Sequence, residues 1–445
     1  MSDRYRKVPS ARLSRFAAFG QMAGGVASGM VAEGARRLAR GERPQMRDLL
    51  LTPGNAQRVT EQLSRLRGAA MKLGQMISLD AGDMLPPELT AILAKLRDNA
   101  HHMPPAQLQK VLATQWGQDW RRRFAHFEAS PIAAASIGQV HRARLPNGKV
   151  VAVKVQYPGV ADSIDADVDN VATLLRISGL LPQALDIAPL LGEAKVQLHE
   201  EADYRREARQ MQLYADRLAD DPRFLVPRPL DDWTTDQVLV MDYIAADSID
   251  TLADAPQPVR DQSMAALLDL VLHELFVFGH MQTDPNFANY RWRPESGEIV
   301  LLDFGAARPI APETSNAYRT LLRAGLTGDR DGLRAALIDV GFVSPALVIR
   351  HGAALDAMID TIIAHMLRPG LFDFADRSFV ARLREQATPV VADTASWHLP
   401  PVETMFVQRK VSGTALLAVR MQARLPLVDM VAGMVAKAHG SAQIP

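Results

Sequence analysis

The sequence predicts an α+β chain, mostly helical, built as a helical unit, a small β-rich lobe and then a larger α-rich lobe. Three observations carry this. Residues 46–125 show apolar positions at helical spacing and nothing strand-like. His141 to Leu145 and Lys149 to Val155 are two β-like runs joined by Pro146-Asn147-Gly148, and Asn-Gly between such runs signals a hairpin. Beyond Thr314 the helical pattern continues to the end of the chain.

In chain order, Leu63, Leu66, Ala70, Leu73 and Ile77 line one face of a helix from Val59 to Ile77 that also carries Lys72, Gly74 and Gln75. Pro86-Pro87 suits the first turn of a second helix, running to about Leu96, and Pro104-Pro105 opens a third that ends near Trp116-Gly117. After the hairpin, helices are expected from Val160 to Leu180 and Pro189 to Leu218, then a short apolar strand from Val238 to Ile244. Asp261 to Phe278 is a strongly apolar helix, with Leu267, Leu268, Val271, Leu275 and Phe278 on or near one face. Two short strands, Tyr290-Arg291 and Ile299 to Leu302, are separated by the turn Glu295-Ser296-Gly297. No repeat or low-complexity segment interrupts this order. The expected divisions are residues 1–45, 46–128, 129–244 and 245–445.

With 445 residues, 48% hydrophobic and 22% charged, the chain can build more than one core, and disorder is excluded as its main state. Lys plus Arg and Asp plus Glu are both 50, so the net charge of zero gives no global field for nucleic acid, and none is expected as a partner. The absence of cysteine excludes disulfides, zinc ribbons, iron–sulfur clusters and thiol nucleophiles.

The longest charge-free apolar stretch is Phe16 to Ala32, 17 residues, short of a confident membrane span. Arginines and a lysine precede it, and five arginines follow within residues 33–47. An apolar segment with positive charge on both sides suits a helix resting on anionic lipid. Gly20, Gly24, Gly25 and Gly29 allow close helix approach there, and so a homodimer through this segment. A secretory signal would need a cleavage site and a charge-free sequel, and neither fits.

Three pieces carry a phosphoryl-transfer signal. Lys154 stands near the end of the second hairpin strand, in Val151-Ala152-Val153-Lys154, where it can neutralise nucleotide phosphates; alone, it reads as a solvated surface residue. Asp284 and Asn289, in Gln282-Thr283-Asp284-Pro285-Asn286-Phe287-Ala288-Asn289, have the five-residue separation of a kinase catalytic loop; alone, they read as a turn. Asp303-Phe304-Gly305 closes a strand, where an aspartate can bridge magnesium to phosphate. The three in this order make coincidence a poor account. No G-x-G-x-x-G loop precedes Lys154 and there is no Walker A motif; Ala133-Ala134-Ala135-Ser136-Ile137-Gly138 stands in the loop position. Ala311-Pro312-Glu313 lies too close after Asp303 to close a peptide-binding activation loop.

Other candidates carry less. His199-Glu200-Glu201 lacks the second histidine of a zincin helix. His101-His102 cannot face one ligand together from a helix, Arg121-Arg122-Arg123 reads as an exposed turn, and Ser412 to Arg424 reads as a core helix.

The sequence resembles the UbiB family of atypical protein-kinase-like ATPases (the aarF-domain or ADCK group), including its branch that supports coenzyme Q synthesis. Lys72-Leu73-Gly74-Gln75 matches its KxGQ motif, Ala133-Ala134-Ala135-Ser136 its Ala-rich loop and Glu201-Ala202-Asp203 its ExD motif. Gln282-Thr283-Asp284-Pro285-Asn286 and Asp303-Phe304-Gly305 match its catalytic segments. The match runs from about residue 10 onward.

The resemblance implies a two-lobed protein-kinase-like fold with an N-terminal KxGQ helical extension, binding ATP or ADP with Mg²⁺ between the lobes. Lys154 would contact phosphates and pair with an acidic residue of the helix from Pro189 to Leu218; Glu201 and Glu207 are both candidates. Asp284 would accept the proton, Asn289 and Asp303 would hold metal, and Met241, Asp242, Tyr243 and Ile244 would form the adenine hinge. Lys72, Gly74 and Gln75 would lie over the cleft near Glu201 and Asp203, favouring ATP hydrolysis over protein phosphorylation. The implied role is support of ubiquinone synthesis through its lipids or enzymes. Its implied place is the cytoplasmic face of a bacterial inner membrane, since no presequence precedes the family core, or the matrix side of the mitochondrial inner membrane. A true kinase and a nucleotide-gated lipid-binding scaffold are the competing readings.

Overall fold

The computed structural model describes residues 102–177, 188–393, 398 and 400–440. The expected helices before residue 102, including the KxGQ segment and the apolar stretch from Phe16 to Ala32, lie outside the described residues. The described residues form two compact units: one runs from His102 through Leu213 together with Pro227–Tyr243, the other comprises Tyr214–Val226 and the described residues from Ile244 on.

The first unit opens with helix α1 (Pro105–Trp116), started by proline and stopped at Gly117, whose φ of +87° suits glycine. Its sheet runs β1 (His126–Phe127), β3 (Gly138–Arg144), β4 (Val150–Gln156), β6 (Val238–Asp242), with β2 (Ala133–Ala134) also on β3; every pairing is antiparallel. The expected hairpin is β3–β4, closed by Gly148 with φ +87°. Nearly all of β4 is buried: it lies between β3 and β6, and α1 packs on it. The exposed turn expected at Arg121-Arg122-Arg123 is a 3₁₀ turn, Trp120–Arg123, in which Arg121 and Arg122 are exposed. Arg121 lies over the Trp120 ring, and Arg123 over Trp116 and Trp233.

The single helix expected from Pro189 to Leu218 is two, α3 (Ala188–Ala202) and α4 (Tyr204–Arg217), preceded by α2 (Val160–Ile177). The break falls at Asp203, whose carboxylate accepts from the Arg206 N–H at 2.8 Å and so caps the second helix. Glu207 lies in the first turn of this second helix, its N–H donating to the Asp203 carbonyl at 3.0 Å.

The second unit holds a four-stranded sheet ordered β5 (Phe224–Leu225), β10 (Ile299–Leu301), β9 (Tyr290–Trp292), β7 (Asp247–Ser248), and a two-stranded pair of β8 (His280–Gln282) with β11 (Ala307–Pro309). Helix α5 (Gln257–His273) passes into a π turn, Glu274–Phe278, and stops at Gly279 in the left-handed region. Then come α6 (Pro312–Thr327), α7 (Arg330–Val340), α8 (Pro345–Met366), α9 (Ser378–Ala392), α10 (Val402–Arg420) and α11 (Leu427–Gly440). Two short strands, β12 (Phe372–Asp373) and β13 (Arg424–Leu425), interrupt the helical run expected beyond Thr314. The helix expected from Ser412 to Arg424 starts ten residues earlier and ends sooner, at Arg420, with Arg424 already on β13. Val271, Leu275, Met281, Ile310, Tyr318, Val340 and Val407 form one core cluster. Among the described residues, no helix is long and apolar enough to cross a membrane.

A buried histidine sets a pH limit on the first unit. The Gln139 side-chain oxygen accepts from the Met103 N–H at 2.8 Å, so its amide nitrogen faces His141 Nε2 at 2.8 Å, while His141 Nδ1 donates to the Glu128 carbonyl. That network requires a neutral ring, and burial drives its pKa from 6.5 down to about 4. Because the folded value lies below the unfolded one, the stabilisation is complete above pH 6.5 and is lost as pH falls through 4. In chemical denaturation, the stability of wild type over His141→Gln should be constant above pH 6.5 and shrink by about 3 kcal/mol at lower pH. A difference independent of pH would refute the neutral assignment.

Candidate functional site

Lys154 stands on β4, opposite Val140 of β3 and Leu239 of β6. Its ammonium donates to both carboxylate oxygens of Glu207, at 2.7 and 2.9 Å, and both residues are buried. This decides between the two candidates left open by sequence: Glu207, on α4, is the partner. Glu201, at the end of α3, accepts instead from the Ser136 hydroxyl at 3.0 Å, which ties the Ala-rich segment to the ExD segment. Ala133 and Ala134 pair with Val140 and Gln139, and Ala135 N–H donates to Gly138 O, so the segment is a tight hairpin. A Cβ at Gly138 would overlap the Val155 carbonyl and the Tyr204 hydroxyl, so that hairpin can lie this close only with glycine. Tyr204 in turn lies under the Lys154 ammonium at 5.2 Å.

At Met241–Ile244, Met241 pairs with Ala152, Asp242 N–H donates to Arg228 O, and Tyr243 N–H donates to Val150 O. Those two amides are committed within the first unit. Any adenine contact at the expected hinge must therefore use carbonyls or the Ile244 amide.

In the second unit, strand register brings the remaining candidates together. Tyr290 pairs with Leu301, and Leu302 N–H donates to Asn289 O at 3.0 Å, which sets Asn289 beside the residue preceding Asp303. Gln282 pairs with Ala307, and both the amide and the hydroxyl of Thr283 donate to Ala306 O, so the segments leading into Asp284 and out of Asp303 are joined. Asn289 Nδ2 donates to the Asp284 carbonyl at 3.3 Å, so the atom that Asn289 offers a cation is its side-chain oxygen. Asp303 Oδ1 accepts from Gly305 N–H at 3.0 Å, orienting the carboxylate. Phe304 is buried against the Tyr214 ring at 4.8 Å. Asn289 and Asp303 line one narrow cavity, with Glu274, Gln282, Tyr290 and Lys410 among its other walls.

The described residues contain no cluster of three His, Cys, Asp or Glu side chains able to hold a metal. One carboxylate and one amide oxygen fit magnesium, which takes few protein ligands and completes its shell with phosphate and water.

Residues 95–337 fit the ABC1 atypical kinase-like domain. The chain is 37% identical over 421 residues to the atypical kinase COQ8, mitochondrial, of Saccharomyces cerevisiae, covering 94% of this chain and 83% of the yeast protein. It is 37% identical over 434 residues to the atypical kinase COQ8B, mitochondrial, of Rattus norvegicus, covering 96% and 81%. The solved structure of Rv3197 with erythromycin, from Mycobacterium tuberculosis, aligns at TM-score 0.59 and 25% identity, over 85% of this chain and 94% of that one.

The chain belongs to the ABC1 atypical kinase-like family.

The resemblance read from the motifs is thereby borne out, as is the α+β, kinase-like fold, and the protein is a kinase-like enzyme. Lys72, Gly74 and Gln75 of the family's KxGQ motif lie outside the described residues. Sequence reasoning missed Lys410 and Glu274. Glu274 is fully buried and Lys410 nearly so, and they pair at 3.4 Å. Burial alone would lower the Lys410 pKa, but Glu274 and Tyr290 outweigh it, and the net shift is upward. Both residues interrupt apolar stripes, Lys410 among Val407, Gly413 and Leu417, Glu274 among Leu267, Leu270 and Val271. A charge on a stripe that must be buried calls for an opposite charge on another. That signal was in the sequence.

Lys154→Met would remove the ammonium that binds both oxygens of the buried Glu207 carboxylate and should cost about 3–5 kcal/mol in chemical denaturation. Lys154→Met combined with Glu207→Met should recover most of that loss. A double variant as unstable as the single one would mean the pair is not the source of the effect.

Proposed function

We propose that this protein binds Mg·ATP, hydrolyses it slowly and supports ubiquinone biosynthesis at a membrane. The buried Lys154–Glu207 pair carries the reading, because a strand lysine held by a helix glutamate is the arrangement an active kinase site needs. Lys154 contacts phosphates, beside the hairpin Ala133-Ala134-Ala135-Ser136, whose serine is anchored on Glu201. Backbone groups within Met241–Ile244 receive adenine. Asp284 orients and accepts the proton of the attacking hydroxyl group or water, and Asn289 and Asp303 offer oxygens to magnesium. When bound, magnesium neutralises charge on the transferring phosphoryl group.

Lys72, Gly74 and Gln75, with Glu201 and Asp203, are assigned to occluding the peptide site, which favours water over a peptide hydroxyl as the acceptor. The relatives named atypical kinase COQ8 support the link to coenzyme Q. Their mitochondrial names and the basic, apolar stretch over residues 1–45 support a peripheral place on an inner membrane, matrix or cytoplasmic side.

The test is Mg·ATP hydrolysis by purified protein with and without phosphatidylglycerol-rich vesicles, wild type beside Asp303→Asn. Turnover should rise with vesicles and fall by about a hundredfold or more in the variant. Nucleotide binding with no turnover under either condition would replace the ATPase reading with a scaffold, and phosphate found on an added acceptor would replace it with a true kinase.

A further inference from the structure

We propose that helix α10 fixes the geometry of the magnesium site, with Lys410 as a positioning residue and Gly413 as its point of contact with the catalytic loop. This rests on the reading of Asn289 and Asp303 as magnesium ligands.

The Lys410 ammonium donates to Tyr290 OH at 3.0 Å and Gln282 Oε1 at 3.3 Å. Gln282 ends β8 and Tyr290 opens β9, so one cation holds both ends of the loop that contains Asp284 and Asn289. Glu274 holds the same end from the other side. Its Oε1 accepts from the Gln282 N–H at 3.0 Å and from Tyr214 OH at 2.7 Å. The Tyr214 ring supports Phe304, next to Asp303. The Lys410–Glu274 pair thus reaches Asn289 through Tyr290, and Asp303 through Tyr214 and Phe304.

Three residues beyond Lys410 on the same helix, the backbone at Gly413 lies directly against Pro285, and a Cβ there would overlap the Pro285 ring. Pro285 follows Asp284. The loop is therefore pinned at both ends by one side chain and in its middle by the same helix. Two apolar side chains would fill the space of the buried pair at no greater cost in stability. What the pair adds is direction: hydrogen bonds fix where Gln282 and Tyr290 stand, and metal ligands must be held to a fraction of an ångström. Glu274 belongs to the π turn, a local departure from the α-helix that is frequent at functional sites.

The test separates metal binding from nucleotide binding and from folding. A fluorescent ATP analogue is titrated in EDTA, and then at fixed nucleotide with increasing Mg²⁺, against wild type, Asp303→Asn, Gly413→Ala and the double variant Lys410→Met with Glu274→Gln. The double variant keeps the core free of a lone charge, and Gly413→Ala leaves all the charges in place. Both should melt cooperatively, bind the analogue in EDTA as wild type does, and need about ten times more Mg²⁺ for half-maximal effect. A wild-type Mg²⁺ requirement in both, with Asp303→Asn shifted, would overturn the positioning role alone. An unshifted Asp303→Asn would overturn the magnesium reading and the positioning role with it.

Discussion

Each unit holds a buried lysine–glutamate pair, Lys154–Glu207 in the first and Lys410–Glu274 in the second. Taking an ammonium and a carboxylate out of water is expensive, and such a pair survives only where further hydrogen bonds meet the remaining polar atoms. In the first unit the pair itself is bidentate: the Lys154 ammonium donates hydrogen bonds to both oxygens of Glu207. In the second, Lys410 meets that condition with Tyr290 and Gln282 and Glu274 Oε1 with Gln282 N–H and Tyr214, while Glu274 Oε2 is left to the ion pair with Lys410 at 3.4 Å. Each pair joins elements distant in sequence: β4 to α4 in the first unit, and α10 to the end of α5 in the second. Neither pair could be replaced piecemeal, because removing one partner leaves its counterpart buried and charged.

The parts of this structure legible in the sequence are those set by local rules. The β3–β4 hairpin was announced by Asn147-Gly148, α1 by its flanking prolines and Gly117, and the Asp284, Asn289 and Asp303 set by spacing around short strands. What escaped was set by partners far along the chain. Nothing within residues 188–218 says that the helix breaks, because Asp203 is tolerated inside a helix and becomes a cap only when the backbone turns there. The choice between Glu201 and Glu207 depended on that break, since the helix phase restarts at Tyr204. Lys410 went unnoticed because α10 was read from Ser412, two residues too late to include it.

The Ala-rich segment shows the same dependence from another side. A glycine-rich loop over phosphates gains freedom of approach at the cost of order, since glycine has the most backbone entropy to lose. Here Ala133 and Ala134 are fixed in strand pairing, Ser136 is bonded to Glu201, and the single glycine, Gly138, is placed where a Cβ would strike Val155 and Tyr204. Glu201 and Glu207 lie on either side of the Asp203 break, so one holds the hairpin while the other holds Lys154. Two acidic residues six apart thus serve two different partners, one from each side of the break. The departure from a glycine-rich loop and the interruption of the helix thus meet in one arrangement: a tight Ala-rich hairpin bonded to the helix end that precedes the lysine's partner.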